Sequence, residues 1–354
     1  MNTAAVPVAL GRSGPGFRRA RHMPTRGPLV DGYGRVHTDL RISVTDRCNL
    51  RCVYCMPEEG VPVLPRSELL TFEEIERVAA VARGLGIDSV RITGGEPLVR
   101  RGIVDLVRRL ARIGFGDMAL TTNGTSLPPL ARALSEAGLR RVNISCDSLR
   151  PERFGTIRRR GRLENVLEAM ASAEEAGLGP VKVNVVLMAG WNDDEVADFA
   201  AFARDTGRIV RFIEFMPLDA QGSWSNDLVV PGEEVLEKVN ALWPVEPVAH
   251  CEDPAAPVER FRFTDGKGEI GIIRSVTQPF CSACDRLRLT ADGAVRNCLF
   301  SDAELSVRDV LRSGGDDADV ERMLRRSVWA KAPGHGINEP GFLRPARSMS
   351  MIGG

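Results

Sequence analysis

From about residue 40, the chain alternates between short β-branched runs and longer helical patterns. Strand-like runs occur at 41–45, 87–92, 117–121, 140–145, 181–187 and 209–215. Helical patterns lie between them, near 72–85, 101–113, 128–137, 161–176 and 193–205. This alternation predicts a parallel sheet with right-handed helical crossovers, built either as a doubly wound sheet or as a partial β/α barrel. These patterns alone do not separate the two architectures.

The residues before and after this alternating region differ from it in composition and in pattern. The alternation stops near residue 240 at a proline-rich stretch, and shorter strand-like runs follow. We therefore expect one domain over 35–243 and a second, smaller domain over 244–354. Residues 1–34 are rich in Gly, Pro and Arg and are predicted to be a mobile N-terminal arm. An organelle transit peptide, or a true start at Met23, are alternative interpretations of that segment.

The charge balance narrows the classes of partner. The chain has 47 basic and 47 acidic residues, and aromatic residues make up 5% of it. A nucleic-acid or membrane-surface protein usually carries a basic excess, so neither partner is expected. No apolar run approaches the roughly 20 residues of a membrane span. An anionic small molecule remains open as a ligand, because a few local Arg and Lys side chains suffice to bind one.

Cysteine spacing is the strongest chemical signal. Six of the eight cysteines form two groups, Cys48, Cys52 and Cys55, and Cys281, Cys284 and Cys298. Such groups in a long chain indicate metal binding in a reducing compartment, so the cytoplasm is the expected location. Thiolates favour iron–sulfur clusters or zinc. Three of them leave one iron of a cubane cluster open to a substrate. The alternatives are a structural zinc site or core thiols for the first group, and a zinc knuckle with His335 for the second.

Polar and soft residues recur at the ends of the predicted strands. Gly94-Gly95-Glu96-Pro97 follows the second strand, and Thr122, Ser145 and Met216 end or follow later ones. Taken singly, each is compatible with a turn cap or core filler. Their recurrence predicts one site ringed by the loops at the carboxyl ends of the strands.

Basic residues at alternate strand positions predict an anion site. Arg286 and Arg288 share one face of a strand, although a solvated face would explain that pair equally well. Charged side chains that point into a barrel are costly unless they meet an anion. The full set would suit a triphosphate, and comprises Arg41, Arg91, Lys182, Arg211, Arg286 and Arg288.

The Cys-x3-Cys-x2-Cys spacing, with Gly-Gly-Glu-Pro after the second strand, resembles the radical S-adenosylmethionine superfamily. Over residues 35–354 the chain more closely resembles the GTP 3′,8-cyclase (molybdenum cofactor biosynthesis protein A) family. That resemblance is carried by DLRISVTDRCNLRCVYCMP, RITGGEPLVR, RVNISCDS, KVNVV, RFIEFMPL, the CSAC-x-RLRLT segment up to Cys298, and the terminal IGG. With it, the expected fold is a partial (β/α)6 TIM-like barrel followed by a smaller C-terminal α+β domain.

The resemblance also implies roles for individual residues. The two cysteine groups would each hold a [4Fe-4S] cluster, the first of which binds S-adenosylmethionine as cosubstrate. Contacts to this cosubstrate would come from Tyr54, Gly95, Glu96, Ser145 and Met216. Contacts to GTP would come from Arg41, Arg91, Thr122, Lys182, Arg211, Arg286, Leu287 and Arg288. Arg286, Arg288 and the terminal Gly353 and Gly354 would serve catalysis, with the glycine tail reaching into the active site.

Three residues depart from the family pattern or have no role in it. Ser89 stands where some members place a Lys near the nucleotide, which removes one expected phosphate contact. Cys146 follows Ser145 where an apolar residue is common, and is expected to be a buried substitution. Cys251 is expected to be a core thiol.

The implied activity is the radical conversion of GTP to (8S)-3′,8-cyclo-7,8-dihydroguanosine 5′-triphosphate, a lyase reaction that begins molybdenum cofactor biosynthesis. An electron donor and cyclic pyranopterin monophosphate synthase, the downstream enzyme, are the implied partners, and a homodimer is left open. Two rival interpretations are a peptide-modifying radical enzyme with an auxiliary cluster and a non-catalytic metal-binding scaffold.

Overall fold

A computed structural model describes residues 19–248 and 255–353. The predicted strands are present, each beginning and ending within two residues of the run expected from the sequence. They are β1 (Asp39–Ser43), β2 (Ser89–Thr93), β3 (Asp117–Thr122), β4 (Arg141–Ser145), β5 (Lys182–Leu187) and β6 (Ile209–Glu214). All five neighbouring pairs among them are parallel.

The strand order decides between the two architectures left open by the sequence. Neighbouring strands follow one another as β1-β2-β3-β4-β5-β6, without the reversal that defines a doubly wound sheet. Right-handed crossovers in an unreversed order place every connecting helix on the same face, so the sheet curves away from the helices. The expected partial (β/α)6 TIM-like barrel is therefore confirmed.

Helices pack around the outside of the curved sheet. Those of the barrel region are α1 (Phe72–Gly84), α2 (Ile103–Ile113), α3 (Ala131–Glu136), α4 (Pro151–Arg158), α5 (Leu163–Glu175) and α6 (Val196–Thr206). α1 begins at a capping box, in which the Thr71 hydroxyl accepts from the Glu74 N–H and the Glu74 carboxylate accepts from the Thr71 N–H. Within the described ranges, no helix is long and apolar enough to cross a membrane.

Alternation along each strand separates the core from the barrel interior. Leu40 and Ile42 of β1 and Val90 and Ile92 of β2 are fully buried in the apolar core beneath the helices. The residues between them point to the opposite face because side chains alternate along a strand. Arg41 and Arg91 therefore lie between apolar neighbours that direct them to the barrel interior.

The C-terminal residues add strands to both edges of the barrel sheet. The further elements are α7 (Gly232–Leu242), β7 (Val245–Pro247), β8 (Glu259–Phe263), β9 (Glu269–Ile273), β10 (Arg286–Leu289), β11 (Ala294–Arg296), β12 (Leu305–Ser306), α8 (Val307–Arg312), α9 (Asp317–Trp329) and α10 (Met349–Ile352). β9 pairs in parallel with β6, and β10 pairs in parallel with β1. Two parallel strands from the C-terminal part thus flank the six of the barrel.

Part of the predicted N-terminal arm packs against the barrel. Residues 1–18 lie outside the described residues. Leu29 is fully buried in the core, and the Asp31 carboxylate forms an ion pair with Arg35 at 2.5 Å. Burial of an apolar side chain and of a paired acid shows that this end of the arm packs on the core.

Candidate active site

One cavity of about 820 Å³ runs the length of the barrel interior. It is lined by residues that begin strands, such as Asp39 and Ser89, and by residues that end them, such as Thr93 and Thr122. Both cysteine groups line it as well, with Cys48, Cys52, Cys55, Cys281, Cys284 and Cys298 all in its wall. The two groups, far apart in the sequence, therefore face a common space.

Strand direction places the two cysteine groups at opposite ends of this cavity. Cys48–Cys55 follows the carboxyl end of β1. Cys284 precedes the start of β10, which runs parallel to β1, and Cys298 follows β11, which runs antiparallel to β10. The second group therefore lies at the end where the barrel strands begin.

The first cysteine loop is held against the end of α4. The Val53 N–H donates to the Ile157 carbonyl at 3.0 Å, which brings Arg158 under the loop. The Arg158 Nη1 lies 3.4 Å from the Cys52 Sγ. Burial raises the pKa of the Cys48 thiol to about 11, and a bound metal would lower that pKa because it favours the thiolate.

A buried ion pair lies beside this loop. Arg158 and Asp147 are 2.8 Å apart, with side chains 3% and 1% exposed. The Tyr54 hydroxyl donates to the same carboxylate oxygen, the Asp147 Oδ2, at 2.8 Å. Neither Arg158 nor Asp147 was predicted as a site residue, because no local pattern indicates that a helix end at Arg158 meets a cysteine loop.

The Gly-Gly-Glu-Pro segment packs on the first cysteine loop. A Cβ at Gly94 would lie 2.6 Å from the Thr45 carbonyl oxygen, and one at Gly95 would lie 2.4 Å from the Arg47 carbonyl oxygen. The Gly95 N–H donates to that Thr45 carbonyl at 2.7 Å. The two glycines therefore allow backbone to meet backbone, a role the sequence did not specify.

Glu96 organises the ends of two strands. Its carboxylate accepts from the Thr122 hydroxyl and the Asn123 N–H, both at 2.7 Å, and from the Leu98 N–H at 3.0 Å. Burial raises the pKa of the Glu96 carboxyl, although these bonds act in the opposite direction. The Thr122 hydroxyl, predicted to contact GTP, is thus committed to Glu96 in this state.

All the residues predicted to contact S-adenosylmethionine line the cavity. They are Tyr54, Gly95, Glu96, Ser145 and Met216. The cavity therefore brings together side chains contributed by four different strand ends. Their roles as contacts stay predictions.

The second cysteine loop is held by contacts from one residue near the start of the chain, Arg35, and one near its end, Lys331. The Lys331 ammonium donates to the Cys284 Sγ at 3.2 Å and to the Arg286 carbonyl at 2.9 Å. The Arg35 guanidinium donates to the Cys281 carbonyl at 2.6 Å. Burial raises the pKa of the Cys284 thiol, but the neighbouring Arg286 and Lys331 charges lower it overall. Arg35 and Lys331 were both missed, since each acts on the loop from a distant part of the chain.

The zinc alternatives find no support in the placement of the side chains. His335 packs against Phe300 with the two rings tilted and their centroids 4.8 Å apart, and its Nδ1 accepts from the Ile337 N–H. Among the described residues, no three His, Cys, Asp or Glu side chains are gathered to hold a single ion. A cubane does not require such a gathering, because each thiolate binds a different iron. Cys251 lies outside the described residues.

Basic side chains line the middle of the cavity. The predicted anion-binding residues Arg41, Arg91, Lys182, Arg211, Arg286 and Arg288 are all in its wall. Burial and the neighbouring Arg91 charge lower the pKa of Arg41 to about 9. Burial and the Arg211 charge lower the pKa of Lys182 to about 7. Within the described part of the chain, the buried Arg91 Nε has no hydrogen-bond partner. A bound anion would relieve both the mutual repulsion of these charges and the unpaired donor.

Leu287 is the exception among the predicted GTP contacts. It is fully buried in the helix-facing core, on the opposite side of β10 from Arg286 and Arg288. Alternation along the strand explains this direction. Its side chain therefore does not line the cavity, and its contact with GTP stays a prediction.

The last described residue, Gly353, lies against the site. The Gly353 carbonyl accepts a hydrogen bond from the Arg288 guanidinium. A Cβ on Gly353 would lie 2.8 Å from the Thr93 Cγ2 and 3.0 Å from the Ser43 Cβ, where β1 and β2 end. The expected approach of the tail to the cavity is therefore present up to Gly353, and Gly354 lies outside the described residues.

Comparison with known proteins agrees with these features. Residues 42–203 match the Radical SAM superfamily, and residues 208–337 match the family described as Molybdenum Cofactor Synthesis C. A GTP 3′,8-cyclase of Streptomyces coelicolor is 51% identical over 340 residues, covering 96% of this chain and all of that protein. The chain belongs to the GTP 3′,8-cyclase family. Another member, from Mycolicibacterium smegmatis, is 46% identical and covers 99% of this chain and 98% of its own length.

Solved structures with much lower identity share the fold of this family member. Streptococcus suis SuiB bound to its precursor peptide SuiA has a TM-score of 0.58 at 13% identity, covering 86% of this chain and 68% of that one. The protein anSMEcpe with bound AdoMet has a TM-score of 0.57 at 16% identity, covering 85% of this chain and 79% of that one. These likenesses concern the fold alone.

Proposed function

We propose that this protein converts GTP to (8S)-3′,8-cyclo-7,8-dihydroguanosine 5′-triphosphate, the first step of molybdenum cofactor biosynthesis. The observation that carries the proposal is the shared cavity, which has one cysteine group at each end and a row of basic side chains between them. A radical source alone would need only the first group. A substrate that spans both groups must be long and anionic, as GTP is.

The donor sets fit two [4Fe-4S] clusters. Cys48, Cys52 and Cys55 would hold the first and Cys281, Cys284 and Cys298 the second, each with one iron open to a ligand. With S-adenosylmethionine bound, the first cluster supplies a 5′-deoxyadenosyl radical. The protein's own part is to orient the cosubstrate with the loop ends at Gly95, Ser145 and Met216.

The basic residues would position GTP between the clusters. Arg41, Arg91, Lys182 and Arg211 are placed to neutralise the triphosphate, while Arg286 and Arg288 lead toward the second cysteine group. The reaction transfers the hydrogen atom at C3′ of the ribose to the 5′-deoxyadenosyl radical, which becomes 5′-deoxyadenosine, and joins C3′ to C8 of guanine. The nucleotide radical that results takes one electron, which the electron donor supplies, and one proton to give the product. Holding the ribose in place is therefore the main demand on the side chains. The Gly353 tail, bound to Arg288, would close this part of the cavity against water.

The proposal extends to partners and location. An electron donor must reach the first cluster, and the product would pass to cyclic pyranopterin monophosphate synthase. Thiolate-held clusters require a reducing compartment, so we propose a cytoplasmic location.

Anaerobic reconstitution followed by incubation with S-adenosylmethionine, dithionite and GTP tests the proposal. We expect about eight irons per chain, together with 5′-deoxyadenosine and a cyclised nucleotide seen by mass spectrometry. Replacement of Cys281 by Ser should remove the cyclised nucleotide and leave 5′-deoxyadenosine formation in place. Formation of 5′-deoxyadenosine by the unaltered enzyme without any cyclised nucleotide would refute the GTP assignment.

A further inference from the structure

A row of four arginines crosses five neighbouring strands of the sheet in register. Arg288 of β10 is the Cα partner of Arg41 of β1, which is the partner of Arg91 of β2. Arg91 is the partner of Ala119 of β3, which is the partner of Arg141 of β4. Residues in register on neighbouring strands point to the same side of a sheet, so Arg141 continues the row into the cavity.

Arg141 is not among the residues predicted to bind GTP, yet it lines the same cavity. Its charge contributes to lowering the pKa of Lys182 and of Arg91, after burial in both cases. The residue between Arg91 and Arg141 in the row is Ala119, whose methyl group occupies little of the space between the two guanidinium groups. Arg141 thus belongs electrostatically to the basic lining.

The contacts of Arg141 leave part of its guanidinium free. Its Nε donates to the Asp117 Oδ1 at 2.9 Å, and its Nη2 pairs with the Asp117 Oδ2. Its Nη1 is buried and has no hydrogen-bond partner within the described residues. An arginine that served only to pair Asp117 would not need to bury a third, unsatisfied nitrogen, because an unpaired buried donor is costly.

We propose that Arg141 binds the triphosphate of GTP, with Asp117 holding its guanidinium in position before the nucleotide arrives. This inference rests on the proposed function, since it assumes that the anion in the cavity is GTP. A fixed guanidinium suits phosphate because its planar donors can engage two oxygens at once. The Asp117 pair also keeps the charge of Arg141 compensated in the empty cavity.

The test compares the affinities of GTP and of guanosine, which lacks the phosphates. Dissociation constants would be measured by titration calorimetry or competition on the anaerobically reconstituted enzyme, without S-adenosylmethionine so that no turnover occurs. Arg141→Gln should weaken GTP binding by about tenfold or more, the usual effect of losing a charge-assisted hydrogen bond, and leave guanosine binding unchanged. Asp117→Asn keeps one oxygen acceptor for the Arg141 guanidinium and removes a negative charge beside the triphosphate, so it should bind GTP at least as tightly as the unaltered enzyme.

Arg208 provides the matched control. Its Nε and Nη2 pair with the two Glu174 oxygens at 2.7 and 2.9 Å, the same two-nitrogen geometry, but Arg208 is not part of the cavity lining. Arg208→Gln should change neither affinity.

Three outcomes would overturn the inference. They are unchanged GTP binding by Arg141→Gln, equal losses for GTP and guanosine, and a loss in Asp117→Asn as large as that in Arg141→Gln. Each would show that Arg141 only stabilises the pairing of β3 with β4 and does not bind the nucleotide. Absence of GTP binding by the unaltered enzyme would instead refute the proposed function, so the two failures are distinguishable.

Discussion

The guanidinium of Arg288 donates a hydrogen bond to the carbonyl oxygen of Gly353, 65 residues farther along the chain. Arg288 is 5% exposed and lies in the row of basic residues, so the tail meets the anion site directly. Burial and the neighbouring Arg41 charge lower the pKa of Arg288 well below its usual range. The Gly353 carbonyl oxygen therefore accepts one donor of an arginine that its cationic neighbours repel. This contact also orients the remaining guanidinium donors of Arg288.

Gly353→Ala should displace the tail and reduce cyclisation. The added Cβ would lie 2.8 Å from the Thr93 Cγ2, and the φ of +83° adds strain. We expect at least a tenfold loss of cyclised nucleotide with little loss of 5′-deoxyadenosine, both measured by chromatography, since a small misplacement near the chemistry can cost about a hundredfold.

Gly341→Ala is the control for the tail substitution. Gly341 has a φ of +90° but no atom within 4 Å of the new Cβ, so it reproduces the backbone strain without the collision. Equal losses in the two variants would show that the position of Gly353 against Thr93 has no bearing on activity.

When GTP binds at a pH above 7, we expect Lys182 to take up a proton from the solvent. The pKa of Lys182 is lowered to about 7 by burial and by the charges of Arg211, Arg141 and Arg91, so at pH 8 the free side chain is mostly neutral. A bound triphosphate raises that pKa, because it favours the charged ammonium. We expect uptake of close to one proton at pH 8 and little at pH 6, where the side chain is already charged. Affinity should therefore fall as pH rises above 7.

Calorimetry in buffers of different ionisation enthalpy measures this uptake. Lys182→Met removes the titrating group while keeping an unbranched side chain, and should abolish the difference between pH 6 and pH 8. Uptake that persists in Lys182→Met would assign the proton to another group.

Lys331→Met should lower the reduction potential of the second cluster. The ammonium donates to the Cys284 Sγ at 3.2 Å, and both its charge and its hydrogen bond favour the reduced, more negative cluster. A shift on the order of 60 mV is expected for the loss of one charge-assisted hydrogen bond. A redox titration followed by electron paramagnetic resonance measures it. Lys238→Met, which removes an exposed ion pair with Glu234 on α7, is the control and should leave the potential unchanged.

Asp147→Asn should destabilise the fold around the first cysteine loop. The substitution leaves the buried Arg158 without a counter-ion, and removal of one partner of a buried pair costs roughly 3–5 kcal/mol. Urea unfolding of the cluster-free protein measures the change in the free energy of unfolding. Asp265→Asn, which removes an exposed pair with Arg204, should have a much smaller effect. Similar losses in both variants would contradict the importance of burial at Asp147.

The barrel strands and helices could be predicted from the sequence because the patterns that indicate them lie within short stretches of the chain. Alternation and apolar runs located β1 to β6 within two residues, and Thr71 with its acidic first turn marked the start of α1. Cysteine spacing identified both candidate cluster sites for the same reason. Unreversed strand order was not predictable from these patterns, since it depends on pairing between distant segments.

The residues that support the site were missed because they act over long sequence separations. Arg158 reaches Cys52 across 106 residues, and Lys331 reaches Cys284 across 47. A helix or strand period in the sequence gives no information about contacts between residues so far apart. Leu287 is a different case, because alternation along β10 places its side chain opposite those of Arg286 and Arg288.

The contacts of Arg35 set an order for the maturation of the protein. Its guanidinium binds the carbonyl oxygens of Cys281 and Pro333, 246 and 298 residues away. During synthesis the N-terminal segment emerges long before either partner, so the second cysteine loop lacks this support until nearly the whole chain has left the ribosome. Arg158, which contacts the first cysteine loop, is synthesised much earlier than residue 281. The contact from Arg158 to the first loop can therefore form earlier in synthesis than the contact from Arg35 to the second.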